Sequence, residues 1–303
     1  MQNLKYWLWL SKIESLGSIK IQKLLEKYRH PKEIWKCKKE DLLKIDKIGE
    51  KIAEEILNEK YRIGLEEEIQ KMKKEKVELI SIQDKEYPEK LKQLYDKPIS
   101  LYVKGNKEIL NEFALAIIGC RENSFYGKEV ATAVAKGLAK KKITTISGLA
   151  KGIDSISQKE TVKVGGKTIA VIGSGLDIIY PYENINLAND IIKNGGAIIS
   201  EYPLGTKPQK LNFPARNRII SGLSSGVIVI EAKKKSGTMT TVDFALEQGK
   251  TVFAIPRKYN KQKCRRNKRI NKTRCKMCNL LARYFGRILK CMEYSEKMVA
   301  QKK

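Results

Sequence analysis

Between positions 200 and 221 the sequence reads SEYPLGTKPQKLNFPARNRIIS, and the residue types in this stretch suit a polyanion. Lys207, Lys210, Arg216 and Arg218 can meet phosphates, Asn217 can hydrogen-bond, and Phe213 can stack on a planar ring. Pro203, Pro208 and Pro214 lack amide donors and fix φ, so the stretch is expected as a loop, outside sheet or helix interior. Long loops inside compact domains are usually functional. Taken alone, a solvated basic loop with Phe213 tucked into the core fits as well.

Four further turns can meet anions, each at the end of an apolar run. Gly119-Cys120-Arg121 precedes Ser124 and a helical pattern from Tyr126. A glycine turn into a helix N-terminus binds anions, and Arg121 adds a charge. Ser147-Gly148 allows close backbone approach. Gly173-Ser174-Gly175 begins like a dinucleotide fingerprint, but Ile178 stands where the third glycine belongs, so no nicotinamide cofactor is expected. Ser236-Gly237-Thr238 opens a helix rich in hydroxyls, suited to phosphate. Any one of these turns reads equally as a plain strand–helix connection. Their convergence on one sheet edge, with the basic stretch, predicts a phosphate-lined groove.

Catalytic candidates are few. The single histidine, His30, lies in a helical region, which excludes histidine-based nucleophilic triads from the sheet. Glu231, Glu201 and Asp154 could pair as acid and base, but they serve equally as partners of Arg216 or Arg218, and the structural role is the expected one. No cofactor, metal or enzymatic activity is expected. Of six cysteines, Cys264, Cys275, Cys278 and Cys291 lie in the last 47 residues, and Cys37 and Cys120 are scattered. That distribution is no disulfide framework and points to a reducing, cytoplasmic setting. The apolar stretch 6–10 is too short for a membrane span.

The 303 residues carry a net charge of +27, which implies an acidic partner, nucleic acid before membrane. More than half of that excess sits in 257–303, which has 17 basic and two acidic side chains. Residues 1–75 read as a small helical domain. Its 42–53 segment, helix–glycine hairpin–helix, resembles a helix-hairpin-helix or SAM-like module, although Asp46 opposes phosphate approach there. Residues 76–256 form the second domain, with lead-in strands up to 112. Apolar runs at 114–118, 143–146, 168–172, 197–199, 227–230 and 251–255 alternate with amphipathic segments near 126–142, 150–164, 183–194 and 239–249. Strands apolar on both faces and separated by helices specify an α/β, Rossmann-like, doubly wound, mainly parallel sheet. Ligands of such sheets lie beyond the carboxyl ends of the strands.

In their fixed order these motifs resemble the DNA-processing protein A family, also called Smf. They are Ala116-Ile117-Ile118-Gly119-Cys120-Arg121, Ser147-Gly148-Leu149-Ala150-Lys151-Gly152-Ile153-Asp154, the run from Ala170 to Tyr180-Pro181, Ser200-Glu201-Tyr202-Pro203, the run from Phe213-Pro214-Ala215-Arg216-Asn217-Arg218 to Leu223, Glu231-Ala232 with Ser236-Gly237-Thr238, and Val252-Phe253-Ala254-Ile255-Pro256. The resemblance covers roughly 80–256. It implies a non-enzymatic protein that binds single-stranded DNA, protects incoming strands, loads the RecA recombinase in natural transformation and self-associates as a homodimer. By motif, Arg121 and Lys210 match the family's DNA-contacting basic positions, and Gly119, Phe213, Arg216 and Asn217 line the same pocket. Gln158 and Cys120 depart from the family's usual His and Ser. The alternative from another class is a Rossmann-like phosphoribohydrolase, with Ser236-Gly237-Thr238 on a nucleotide phosphate and Glu231 acting on the glycosidic bond.

The segment 257–303 departs from the family, which continues after the Ile-Pro pair with Gly-Asn-Ile and a final strand. Residues 257–264 can be back-translated as AGG AAA TAT AAC AAA CAA AAG TGC, and dropping the first base yields Gly-Asn-Ile-Thr-Asn-Lys-Ser. Residues 271–278 can likewise be written to yield Ile-Arg-Gln-Gly-Ala-Lys-Cys-Val in the shifted frame. The segment therefore reads as a one-base frameshift near codon 257, a basic tail without regular structure. A zinc site from its four cysteines is the alternative, against which their outer spacings argue.

Overall fold

A strand buried on both faces must be covered by helices on both sides, and this requirement shapes the chain. The computed structural model describes residues 3–13, 15–233, 236–256 and 275–277. The strands are β1 (Val77–Ser81), β2 (Ser100–Gly105), β3 (Ala114–Ile118), β4 (Thr144–Ser147), β5 (Thr168–Ile172), β6 (Ala197–Ser200), β7 (Gly226–Val229), β8 (Thr251–Ala254) and β9 (Cys275–Met277). They form one sheet in the order β1-β2-β6-β5-β4-β3-β7-β8-β9. From β6 to β9 all pairings are parallel, whereas β1 and β2 add an antiparallel edge through Tyr102↔Ser200 and its neighbours. The expected doubly wound α/β architecture is therefore present, and the lead-in strands belong to the same sheet. Of the segment 257–303, only Cys275–Met277 is described. It pairs with β8 and covers that edge, where no sheet element was expected. The rest of the tail, with its frameshift and zinc readings, lies outside the described residues.

The helices are α1 (Leu4–Lys12), α2 (Ser18–Tyr28), α3 (Pro31–Trp35), α4 (Lys39–Leu42), α5 (Glu50–Leu57), α6 (Leu65–Lys74), α7 (Glu89–Lys92), α8 (Phe125–Lys140), α9 (Ile153–Lys163), α10 (Ile185–Lys193), α11 (Asn212–Leu223) and α12 (Gly237–Glu247). Alternation along β3 sorts its residues between two layers. Leu115 and Ile117 face Val130, Val134 and Leu138 of α8. Ala114, Ala116 and Ile118 face the other way, toward Ile219, Ile220 and Leu223 of α11 and Val242 and Ala245 of α12. The N-terminal helices bury Trp7, Leu8, Trp9 and Leu10 in a core continuous with Val77, Tyr102, Ala170, Ile172 and Ile198 of the sheet. Ser11 Oγ lies 2.9 Å from the Tyr102 hydroxyl, and Lys71 Nζ lies 2.6 Å from Asp177, tying the helical layer to the strands. Among the described residues no helix is long and apolar enough to cross a membrane.

The main departure from the sequence reading is α11. Pro214 does not hold this stretch open; it occupies the third position of the helix. Amides of a helical first turn have no intrahelical acceptor, so proline costs nothing there. The loop accordingly ends at Leu211, and Phe213, Arg216, Asn217 and Arg218 ride on a helix whose Ile219, Ile220 and Leu223 anchor it in the core.

Candidate nucleic-acid interface

The carboxyl ends of β3 and β7, the start of α11 and the start of α12 enclose a cavity of about 590 Å3. It lies where the chain winds in opposite directions from the centre of the sheet, the expected ligand position for this architecture. Gly119 forms part of its floor. A Cβ there would come within 2.5 Å of Ile153 Cγ1, so only glycine lets the first residue of α9 pack this close. Arg121 is exposed at the rim, its guanidinium carbon 5.8 Å from the centre of the Phe213 ring. Phe213 is half-buried and Lys210 exposed on the same wall.

The opposite wall is the start of α12. Among the described residues its N-cap, Ser236, makes no capping bond, and its hydroxyl turns to the carbonyl of Lys233 at 2.9 Å. The first turn therefore faces the cavity uncapped at Gly237 and Thr238, with the positive end of the helix dipole directed at it. Asn217 donates to the Gly237 carbonyl at 3.1 Å, fixing α11 against that turn. Lys233 lines the same wall in an exposed pair with Glu122 at 2.6 Å, a contact of little strength in water.

Arg216 and Asp154 lie beneath, both buried. Arg216 Nη1 donates to the carbonyls of Gly148, at 2.7 Å, and Val171, while its Nε has no partner among the described residues. Asp154 accepts from the Gly148 amide at 3.2 Å. Burial lowers Arg216 to about 10 and pushes Asp154 up to about 6, against the pull of Arg216.

Gly119, Arg121, Lys210, Phe213, Arg216, Asn217, Ser236, Gly237 and Thr238 thus line one cavity. The structure places four other candidates elsewhere. Arg218 is 6% exposed, forks onto both oxygens of Glu201 at 2.7 Å and meets Asp96 at 3.0 Å, so its charge is already matched. Lys207 lines a second cavity, between the N-terminal helices and the 201–211 loop, which Arg218 also borders. Ser147 is fully buried with its hydroxyl on the Ile117 carbonyl at 2.7 Å. Gly148 is enclosed by Asp154 and Arg216.

The expected convergence of four open turns is likewise reduced, because the protein fills three of them itself. Glu231 Oε2 accepts the amide and hydroxyl of Ser124 at 2.9 and 3.0 Å, supplying its own anion at the start of α8. The turn after β5 is covered by the 201–211 loop, with Gly175 donating to Thr206 at 2.9 Å and Gly205 donating to Asp177 at 2.8 Å. The turn after β4 encloses Arg216. Glu201 partners Arg218 and Asp154 lies beside Arg216, whereas Glu231 is held by Ser124 and not by either arginine. Sequence reasoning did not assign Tyr180, Glu122 or Lys233 to the cavity. Tyr180 belongs to one of the ordered motifs, but the chemistry of its ring became legible only beside Phe213.

Comparison with known proteins agrees with this architecture. The family model for DNA recombination-mediator protein A matches residues 78–284. The DNA processing protein DprA of Bacillus subtilis is 46% identical over 181 residues, covering 59% of this chain and 61% of that protein. The chain spans about half to just under two thirds of the length of the curated relatives it matches. An X-ray structure of DNA processing protein A from Streptococcus pneumoniae superposes with a TM-score of 0.77 at 35% identity, covering 90% of this chain and 94% of that one. A Helicobacter pylori DNA processing protein A, described for its single-stranded DNA binding mode, gives a TM-score of 0.63 at 31% identity, covering 70% and 96%. The chain belongs to the DNA recombination-mediator protein A family.

Proposed function

We propose that this protein binds single-stranded DNA without marked sequence preference in the cavity between α11 and α12, and that it protects the strand and passes it to a RecA-type recombinase during uptake of DNA. The observation that carries this reading is the pairing of two walls. One presents an uncapped helix start, and the other presents Phe213 with the exposed cations Arg121 and Lys210. Phosphates suit the helix start and the cations, base faces suit the ring, and stacking accepts any base. The ligand described for the Helicobacter pylori relative supports the assignment. The site comprises Gly119, Arg121, Lys210, Phe213, Arg216 and Asn217, with Ser236, Gly237 and Thr238 on the phosphates. Arg218 and Lys207 act outside it, Arg218 as a structural ion pair.

The protein acts as a homodimer in the cytoplasm and catalyses no reaction. Glu231 argues against the phosphoribohydrolase alternative, because a carboxylate holding the start of α8 is not free to work on a glycosidic bond.

A salt titration of oligonucleotide binding tests this function, using the full chain and residues 1–256. Preference for single strand over duplex by both supports the cavity as the site. Binding by the full chain only, equal for both forms, would assign it to the charge of the tail. Strand exchange with a RecA recombinase on strands coated by single-strand-binding protein tests the mediator role, and sedimentation tests the dimer.

A further inference from the structure

The cavity's aromatic wall is longer than Phe213. Tyr180, in the turn after β5, places its ring centroid 5.7 Å from that of Phe213 at an interplanar angle of 42°. The Arg121 guanidinium also lies against Phe213, 5.8 Å from its ring centre. Flat groups from three separate segments thus meet at Phe213, and all three line the cavity.

The environment of Tyr180 differs from that of Tyr87, Tyr102 and Tyr126. Tyr87 is fully buried and donates its hydroxyl to the Pro98 carbonyl. Tyr102 is fully buried with its hydroxyl on Ser11, and the Tyr126 hydroxyl reaches the Pro256 carbonyl. These are the arrangements expected of a tyrosine kept for packing, with a dry ring and a satisfied hydroxyl. Tyr180 is 41% exposed, and among the described residues its hydroxyl makes no hydrogen bond. Its one ring contact among them is Phe213, and the tilt between the two leaves a wedge rather than a closed stack.

We propose that Tyr180 is a second base-stacking residue, so that Arg121, Phe213 and Tyr180 form one platform for neighbouring bases of a single strand. This rests on the reading of the cavity as the single-stranded DNA site. The platform shares the cavity with the uncapped start of α12, a helix end suited to phosphates beside rings suited to bases. A ring exposed beside a half-buried one extends the stack to a further base without adding charge. Its contribution therefore depends on bases and not on salt.

The test compares full-length wild type, Tyr180→Ala and Tyr180→Phe on an oligothymidylate and on a strand of equal length made of abasic units. Tyr180→Ala is expected to bind the oligothymidylate about 5- to 100-fold more weakly, as for loss of a stacking aromatic. Its salt slope should be unchanged, and it should match wild type on the base-free strand. Tyr180→Phe should stay within about twofold of wild type on both. In Tyr180→Trp, the added indole fluorescence should be quenched by the oligothymidylate and not by the base-free strand, a readout that holds even if the alanine variant folds poorly. Wild-type affinity of Tyr180→Ala, or an equal loss on both strands, overturns the proposal. If Arg121→Ala and Lys210→Ala still weaken binding, the site reading survives that failure; a wild type with no preference for single strands removes both.

Discussion

Asp154 and Arg216 close on Gly148 from two sides. A Cβ at that glycine would lie 2.7 Å from an Asp154 oxygen and 2.8 Å from both terminal nitrogens of Arg216. Burial raises Asp154 from 3.8 to about 6. An acid that binds its proton more tightly when folded makes the native state more stable in its protonated form. Its contribution is therefore present below about pH 4 and is lost as pH rises toward 6. Asp154→Asn should lack this component. The difference in unfolding free energy between wild type and variant, followed by denaturant titration, should change between pH 4 and 6 by up to about 3 kcal/mol. A pH-independent difference would contradict the raised carboxyl.

Arg121 and Lys210 are exposed cations of the cavity, whereas the third, Lys233, is paired with Glu122. Arg121→Ala or Lys210→Ala should weaken oligonucleotide binding for every sequence alike. Each should flatten the dependence of log affinity on log salt by about 0.7 for every phosphate that is no longer neutralised. Fluorescence anisotropy at several salt concentrations measures both.

Arg218 behaves differently, because its guanidinium is almost fully withdrawn from water where it forks onto the half-buried Glu201. Glu201→Gln leaves a buried guanidinium without its main counter-charge and should cost about 3–5 kcal/mol of stability. Thermal unfolding should register that loss, while the salt slope of DNA binding by folded variant stays at the wild-type value.

Asp177 holds the 201–211 loop by accepting the Gly205 amide at 2.8 Å, and it also meets Lys71 of the helical layer at 2.6 Å. Burial by itself would raise its carboxyl, but the Gly205 amide and Lys71 hold it below the usual range. Asp177→Ala should speed amide exchange around Gly205 and Thr206. It should also weaken oligonucleotide binding a few-fold, since the freed loop leads directly into Lys210 and Phe213. Exchange mass spectrometry and anisotropy report the two effects separately.

For the segment after Pro256, the expected coding sequence is concrete. Codons 257–264 should read as AGG AAA TAT AAC AAA CAA AAG TGC or a synonym that preserves Gly-Asn-Ile in the shifted frame. Sequencing the gene decides this, and codons incompatible with the shifted reading would end the frameshift explanation.

The alternation of strands and helices was legible in the amino-acid order, because runs apolar on both faces admit a covered parallel sheet and little else. That order also marked the carboxyl edge as the ligand side and singled out Arg121, Lys210 and Phe213. The start of α11 was hidden because proline reads as a breaker, although in a first turn it has no hydrogen bond to break. Which charges remain available was decided by tertiary structure alone. Arg218 is matched by Glu201, 17 positions away, and the start of α8 is filled by Glu231, 107 positions from Ser124. Spacing along the chain does not report such partners, since a buried charge is matched by whatever carboxylate or carbonyl the fold brings beside it. For the same reason Tyr180 became a candidate platform only when the fold set its exposed ring beside Phe213 and Arg121.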